Sequence, residues 1–410
     1  MSATTAEASA ARPDDEIREV GRRLQLTRAG IWFAGNQGDP YAMILRATDD
    51  DSTPWEERIR AHGTWFRSDL LGAWVTADPA VTDRVLGDPR FGTLDRAGHR
   101  PDADLLPIAA EFPEYERPEL ARLHALAAPA LSGTALFGAE RAEAEAPVRA
   151  LLPVDGAVFD LVGDVVRPYV GALVLRLLGV AEGERAEAVR PLTRCGPQLD
   201  ARFTPQTLAV ARDSAAAVRE VAALVRELVA REAATGAGGT AGLVGALLGR
   251  GVAPRDVERI GLILAVGAPE PAATVVANTV RALLSGSGEW ADARRTAAAS
   301  AAVDRTLLVR PPTRLERRVA HEDVRLGGRR IRADDQVVVV VTPGAPDAPR
   351  DVSRTGPHLG LALPVVRLAA TTAVSALARA LPGLKAAGPA LTRPRSPVVR
   401  AYARFPVCAH

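Results

Sequence analysis

The sequence predicts a mainly α protein with a smaller β region toward its C-terminus. Three observations carry that expectation. Long stretches rich in Ala, Val and Leu, such as 205–232 and about 256–284, repeat their apolar positions at helical spacing. The segment ERRVAHEDVRLGGRRIRADDQVVVVV (316–341) instead alternates, turns at Gly327-Gly328 and closes on five valines, which is hairpin and strand chemistry. Of the 410 residues 47% are hydrophobic, enough for a core, and 24% charged argues against global disorder.

Taken in order, residues 1–15 read as a flexible arm and 16–410 as one domain. From Ile17 the positions Val20, Leu24 and Ile31 keep helical spacing up to Trp32 and Phe33. GNQGDP (35–40) is a turn cluster, and Pro40 suits the first turn of another helix. WVTADPAVTDRVLGDPRFG (74–92) reads as strand, turn, helix and turn. A helix follows over about 118–130, and 157–180 holds one or two buried helices. TGAGGTAG (235–242) is a loop on composition. Pro269 and Pro271 fall inside the 256–284 helix and should kink or break it. Residues 364–381 return to helix, and RSPVVRAYARFPV (395–407) reads as terminal strands.

Several function classes are excluded at this level. The net charge is +2, with 51 Lys+Arg against 49 Asp+Glu, so nothing global points to nucleic acid. No apolar run is expected to reach the roughly 20 residues that span a bilayer, and the N-terminus lacks a signal-peptide layout. A cytoplasmic protein with no membrane partner is expected. Two cysteines, Cys195 and Cys408, cannot form a zinc site by themselves and read as free or buried thiols. After Asp351 no acid follows, while Arg354, Arg367, Arg379, Lys385, Arg393, Arg395, Arg400 and Arg404 do. That tail is either a solvated surface or a face toward an acidic partner or a nucleotide sugar.

In this order the elements resemble the cytochrome P-450 family over nearly the whole chain. The carrying segments are WVTADPAVTDRVLGDPRFG, LVGDVVRPYVGALVLRLLGV, ILAVGAPEPAATVVANTVRALL, RRVAHEDVRLGGRRIRADDQVVVVV and SRTGPHLGLA (353–362). The resemblance implies a P-450-like fold, and it also locates what is missing. The family's haem thiolate sits in a pattern close to F-G-x-G-x-H-x-C-x-G; here Gly356 and His358 align and the cysteine position is Gly360. Glycine offers no side chain to iron. In the family's A-G-x-[DE]-T motif, Glu270 keeps the acid but Pro271 stands at the proton-relay threonine, with neither hydroxyl nor N–H. The haem-propionate positions map onto Leu120 and His124, leaving only Arg122, and the E-x-x-R pair maps onto Arg305 and Leu308. Of the anion-binding groups, Arg317 or Arg318 is the survivor. The expectation is therefore a P-450-like fold lacking the cysteine-ligand loop, with no catalytic residues, no cofactor and no metal.

GRRLQLTRAGIWFAGNQGDPYAMIL (21–45) and PRSPVVRAYARFPV are similar to a haem-free subgroup of actinomycete antibiotic pathways. The subgroup's members are auxiliary proteins of glycosyltransferases that move a deoxyaminosugar from a nucleoside diphosphate onto a polyketide aglycone. The resemblance implies a non-catalytic activator whose partner is the cognate transferase, as a heterotetramer of two plus two chains, with an anthracycline pathway favoured over a macrolide one. Candidate interface anchors are Trp32, Phe33, Tyr41 and Met43, with Trp55, Trp65 and Phe66 behind them; packing of an N-terminal helix onto the body is the competing reading of each. Two rival functions stand beside this one. One is a haem-dependent monooxygenase with atypical iron ligation, and the other a binder of a small molecule such as the aglycone in the haem cavity.

Overall fold

The computed structural model describes residues 13–48, 51–101, 109–112, 114–132, 145–153, 157–235, 242–286, 288–341 and 359–409. Helix α1 (Pro13–Asn36) starts inside the stretch expected to be a flexible arm. It ends at the GNQGDP turn, and Asp39 then caps α2 (Pro40–Arg46), accepting from Ala42 N at 3.0 Å. After α3 (Thr53–Ala61), β1 (Phe66–Ser68) and β2 (Ala73–Thr76), the same device recurs. Asp78 accepts from Val81 N at 2.9 Å and opens α4 (Pro79–Gly87). In both helices the aspartate satisfies an orphan donor while the following proline wastes none. Next come β3 (Phe91–Gly92), α5 (Arg117–Leu131), α6 (Glu145–Ala150) and β4 (Phe159–Asp160). A π-helical turn, Leu161–Val166, leads into α7 (Arg167–Leu178).

The central layer is helical: α8 (Glu182–Arg194), α9 (Pro197–Ala201), α10 (Leu208–Ala234), α11 (Leu243–Gly249), α12 (Pro254–Gly267) and α13 (Pro269–Ser285). The predicted break falls at Ala268. Pro269 and Pro271 become the first and third residues of α13, where a missing N–H costs least, and Ala272 N restarts the ladder on Ala268 O at 3.0 Å. After α14 (Glu289–Asp292) and α15 (Thr296–Val309) come β5 (Leu315–Ala320), β6 (Val324–Leu326), β7 (Arg329–Ile331) and β8 (Gln336–Val340). The β6–β7 hairpin turns at Gly327 and Gly328, whose φ values of 56° and 76° suit glycine. Helix α16 (Leu359–Ala380) and the short strands β9 (Leu384–Ala386), β10 (Leu391–Thr392), β11 (Tyr402–Arg404) and β12 (Pro406–Ala409) complete the described chain.

Three short strands from the N-terminal third join β5 and β8 in a five-stranded sheet ordered β1-β2-β8-β5-β3, and the β6–β7 hairpin stands apart as its own two-stranded sheet. Strand β2 pairs with β8 in parallel, Ala73 opposite Gln336, and the other pairings are antiparallel. The valine run divides by alternation. Val338 and Val340 join a core cluster that runs from Ile31 to Val407, while Val337, Val339 and Val341 pack with Trp65, Val81 and Phe91 on the opposite face. One expectation is corrected. The stretches 254–285 and 359–380 are both long and apolar enough to cross a bilayer, but 94% and 89% of their most apolar windows are buried inside the protein. Those windows are inner parts of the core, apolar because neighbouring elements surround them.

Candidate functional site

Two regions compete for function: the P-450 cofactor position and the N-terminal helix. At the first, Gly360 is the second residue of α16, half-buried between Leu359 and Leu361; His358 and the rest of 353–358 lie outside the described residues. On α5, Leu120 packs against the main core while His124 is exposed. Arg122 is turned to the surface, donating to Glu119 at 2.8 Å and to Asp256 on α12 at 2.7 Å. Arg305 is likewise at the surface, 3.9 Å from Glu289. The brace expected from an E-x-x-R pair is replaced by a neutral one, Thr279 Oγ1 to Thr306 Oγ1 at 3.0 Å, which joins α13 to α15. Of the two sheet arginines, Arg318 is tied to Glu316 at 2.5 Å, and Arg317 lies over the Phe203 ring and donates to Arg202 O at 2.6 Å.

Glu270 and Pro271 stand at the head of α13. Glu270 is 4% exposed and held by two guanidiniums: Arg167 Nη2 donates to it at 2.9 Å and Arg393 Nη1 lies 3.6 Å away. Burial alone would raise this carboxyl, but Arg393 and Arg167 outweigh it and hold the group below the usual carboxylate range. Arg393 also donates to Asp200 at 3.0 Å, and Asp200 takes further bonds from Ser396 Oγ (2.7 Å) and Val398 N (2.9 Å). The cluster therefore pins the C-terminal segment and α7 to the break in the central helix. Gly196 is needed beside it, because a side chain there would come within 2.6 Å of Glu270 Oε2.

This donor set does not fit a haem. The ligand position has no side chain, the propionate positions offer a leucine and an outward histidine, and the relay acid is already neutralised. One turn beyond Pro271, Thr274 Oγ1 is buried without a hydrogen-bond partner among the described residues, but a hydroxyl supplies neither an iron thiolate nor a cation for propionate. Neither thiol compensates. Cys195 is buried, donates to Pro191 O at 3.2 Å, and is pushed up to about 12 by burial, which keeps it protonated. Cys408 is half-buried on β12.

The N-terminal region is different. Along α1, Leu24 and Val20 pack on Leu208 and Ala211 of α10, and Ile31 and Ala34 enter the main core. The opposite face carries Leu26, Trp32 and Phe33, exposed by 57%, 41% and 58%. Leu26 and Phe33 are seven residues apart and share one face, with exposed Ala29 and Gly30 between them. Arg46 fixes Trp32: its guanidinium lies 4.3 Å from the ring centroid and donates to Trp32 O and Asn36 Oδ1. Gly35 makes room, since a side chain there would meet Arg46 at 2.5 Å.

Of the other proposed anchors, Tyr41 and Trp65 are buried and the rest are half-buried. Tyr41 is 3% exposed, because Tyr41, Ile44 and Leu45 share the inner face of α2. Met43 is half-buried and lines a small, partly open cleft with Trp55 and Arg400. Trp65 is 4% exposed and donates Nε1 to Leu326 O at 2.9 Å, and Phe66 is half-buried against His62. Sequence reasoning missed Leu26, although its spacing from Phe33 was a usable signal. It also missed Arg46 and Arg167, and it placed Arg393 in the basic tail without its buried partners.

No protein-family model matches the chain. Among curated proteins it is 37% identical to Protein TylM3 of Streptomyces fradiae, over 99% of this chain and 96% of that one. It is 35% identical to Protein AknT of Streptomyces galilaeus, over 95% of each. It is 34% identical to Cytochrome P450 family protein EryCII of Saccharopolyspora erythraea, over 95% of this chain and 97% of that one. The chain belongs to this family of P-450-derived auxiliary proteins. Solved structures agree on the fold of the family. The ligand-free Mycobacterium smegmatis CYP164A2 superposes with a TM-score of 0.72 at 24% identity, covering 91% of this chain and all of that one. CalO2 gives 0.69 at 25% identity, covering 88% and 96%.

Proposed function

We propose that this protein is a non-catalytic activator that binds and stabilises a glycosyltransferase attaching a nucleotide-activated deoxyaminosugar to a polyketide aglycone. The observation that carries the reading is the end-to-end similarity to TylM3 and AknT. A donor set that cannot hold haem, at the position where the fold would place it, supports the non-catalytic part. The physical action is mass action. A chain that binds only the active form of its partner stabilises that form by about 2.7 kcal/mol at a hundredfold excess over Kd.

The docking face we propose is the outward side of α1. Arg46 lies over the Trp32 ring and so reduces the side-chain freedom lost on contact, and Phe33 and Leu26 extend the apolar surface. Aromatic anchors of this kind dominate interfaces of about 1,600 Å². The assembly we propose holds two transferase and two activator chains.

The test is co-expression with the cognate transferase, comparing turnover and co-elution with and without this chain. Co-elution with a several-fold gain in turnover is expected. Equal turnover and separate elution would reject the reading, and a red preparation with stoichiometric porphyrin would reject its non-catalytic part.

A further inference from the structure

Away from the outward face of α1, helices α8 and α10 and the C-terminal strands border a solvent-open groove of about 840 Å³. Its floor is apolar, made by Pro168 at the start of α7, Val189 on α8 and Val210 on α10. Its polar lining is mainly cationic, with one carboxylate, Asp213, tied to Arg194 at 2.5 Å. Arg167 and Arg393 reach it with side chains 19% and 23% exposed, and Arg190 stands on the rim.

These two guanidiniums are fastened from behind. Arg167 donates to Glu270 and, through Nη2, to Tyr402 O at 2.5 Å, while Arg393 is held by Asp200 and Glu270. Glu270 and Asp200 are 4% and 0% exposed and do not line the groove. A guanidinium has five N–H donors in a rigid plane, and these bonds use only some of them. The groove therefore meets the edges of pre-oriented cations and not the anions that hold them. Binding clefts for small molecules are of this size, with an apolar lining and a few fixed polar groups.

We propose that this groove is a binding site for a rigid, mostly apolar small molecule carrying one anionic oxygen group. The apolar body rests on Pro168, Val189 and Val210, and the oxygens meet Arg167 and Arg393. The site backs onto Glu270 but is lined by neither Leu120, His124 nor Gly360, and it does not depend on the activator reading.

The probe is 1-anilinonaphthalene-8-sulfonate, an aromatic body with one anionic group, titrated into the full chain and followed by fluorescence. Saturable binding with one site per chain is expected. Val210→Glu puts a carboxylate on the floor and Arg190→Glu reverses the rim charge. Both positions are solvent-exposed, so melting curves should match the parent. Each variant should weaken binding about tenfold, the effect of one charged contact. The neutral analogue N-phenyl-1-naphthylamine should bind more weakly and ignore Arg190→Glu. If Val210→Glu fails to fold, Arg190→Glu with the neutral analogue decides alone. A non-saturating signal, unchanged affinity in a folded variant, or loss of the signal on Phe33→Ser instead would overturn the proposal.

Discussion

Around Glu270 the carboxylates are turned inward and matched by arginines, whereas along the outer side of α1 the large apolar side chains are turned into solvent. The two regions obey opposite rules for the same reason. A buried carboxylate between Arg167 and Arg393 is tolerable only because its partners are present. An exposed Trp32 and Phe33 on a well-anchored helix contribute little to this chain's own stability and are available to another surface. The difference separates residues that hold the fold from residues that can be spent on a partner.

Breaking the inner arrangement should give the largest effect. Glu270→Ala leaves two guanidiniums at a buried site without one of their anions and should cost about 3–5 kcal/mol in urea unfolding. A loss below about 1 kcal/mol would mean that other contacts hold the C-terminal segment. The double variant Trp32→Ser/Phe33→Ser tests the outer side. It should weaken transferase binding by at least about thirtyfold, the scale of a hot spot, while its unfolding midpoint stays near the parent's. Equal binding would move the interface off α1.

Acid sharpens the same contrast. The folded-state value of Glu270 is depressed by Arg393 and Arg167 against its burial. Its stabilisation is therefore fully present above the unfolded carboxylate value and is lost as pH falls through the lower folded value. Removing that titration in Glu270→Gln should flatten the acid limb of the stability–pH curve, whereas Trp32→Ser/Phe33→Ser should leave its shape unchanged. The smallest expected effect is in Gly360→Cys. The restored thiol should bring no Soret band when the protein is purified with haem supplied, because Leu120, His124 and Pro271 still differ. A strong band would show that the core retains a haem-sized opening.

Much of the fold was legible because its signals are local. The Asp-Pro steps at Asp39 and Asp78, the spacing along α10 and the valine run each encode their element within a few residues. Strand β2 was legible at the start of 74–92, whereas β1 and β3 were not, since they hold only three and two residues and exist through pairing with β2 and β5. The missing chemistry at Gly360 and Pro271 could be read directly, because a side chain that is not encoded cannot be supplied by folding. The exposure of the N-terminal aromatics divided along the same line. Tyr41 shares a helical face with Ile44 and Leu45 and turned inward, while Phe33 shares one with Leu26 and turned outward. The pairing of Arg167 and Arg393 with Glu270 left no mark, because they lie 103 and 123 residues from it and meet it only in three dimensions.

The first half of α1 is moored to the body by a satellite cluster of four side chains, Val20, Leu24, Leu208 and Ala211, whereas its last turns are built into the main core. So few contacts imply a low opening free energy, and the amides of residues 17–26 should exchange with deuterium long before those of α13 or α16. A partner that clasps the helix would slow that exchange first, so protection of these amides would report docking before any change in turnover could be measured.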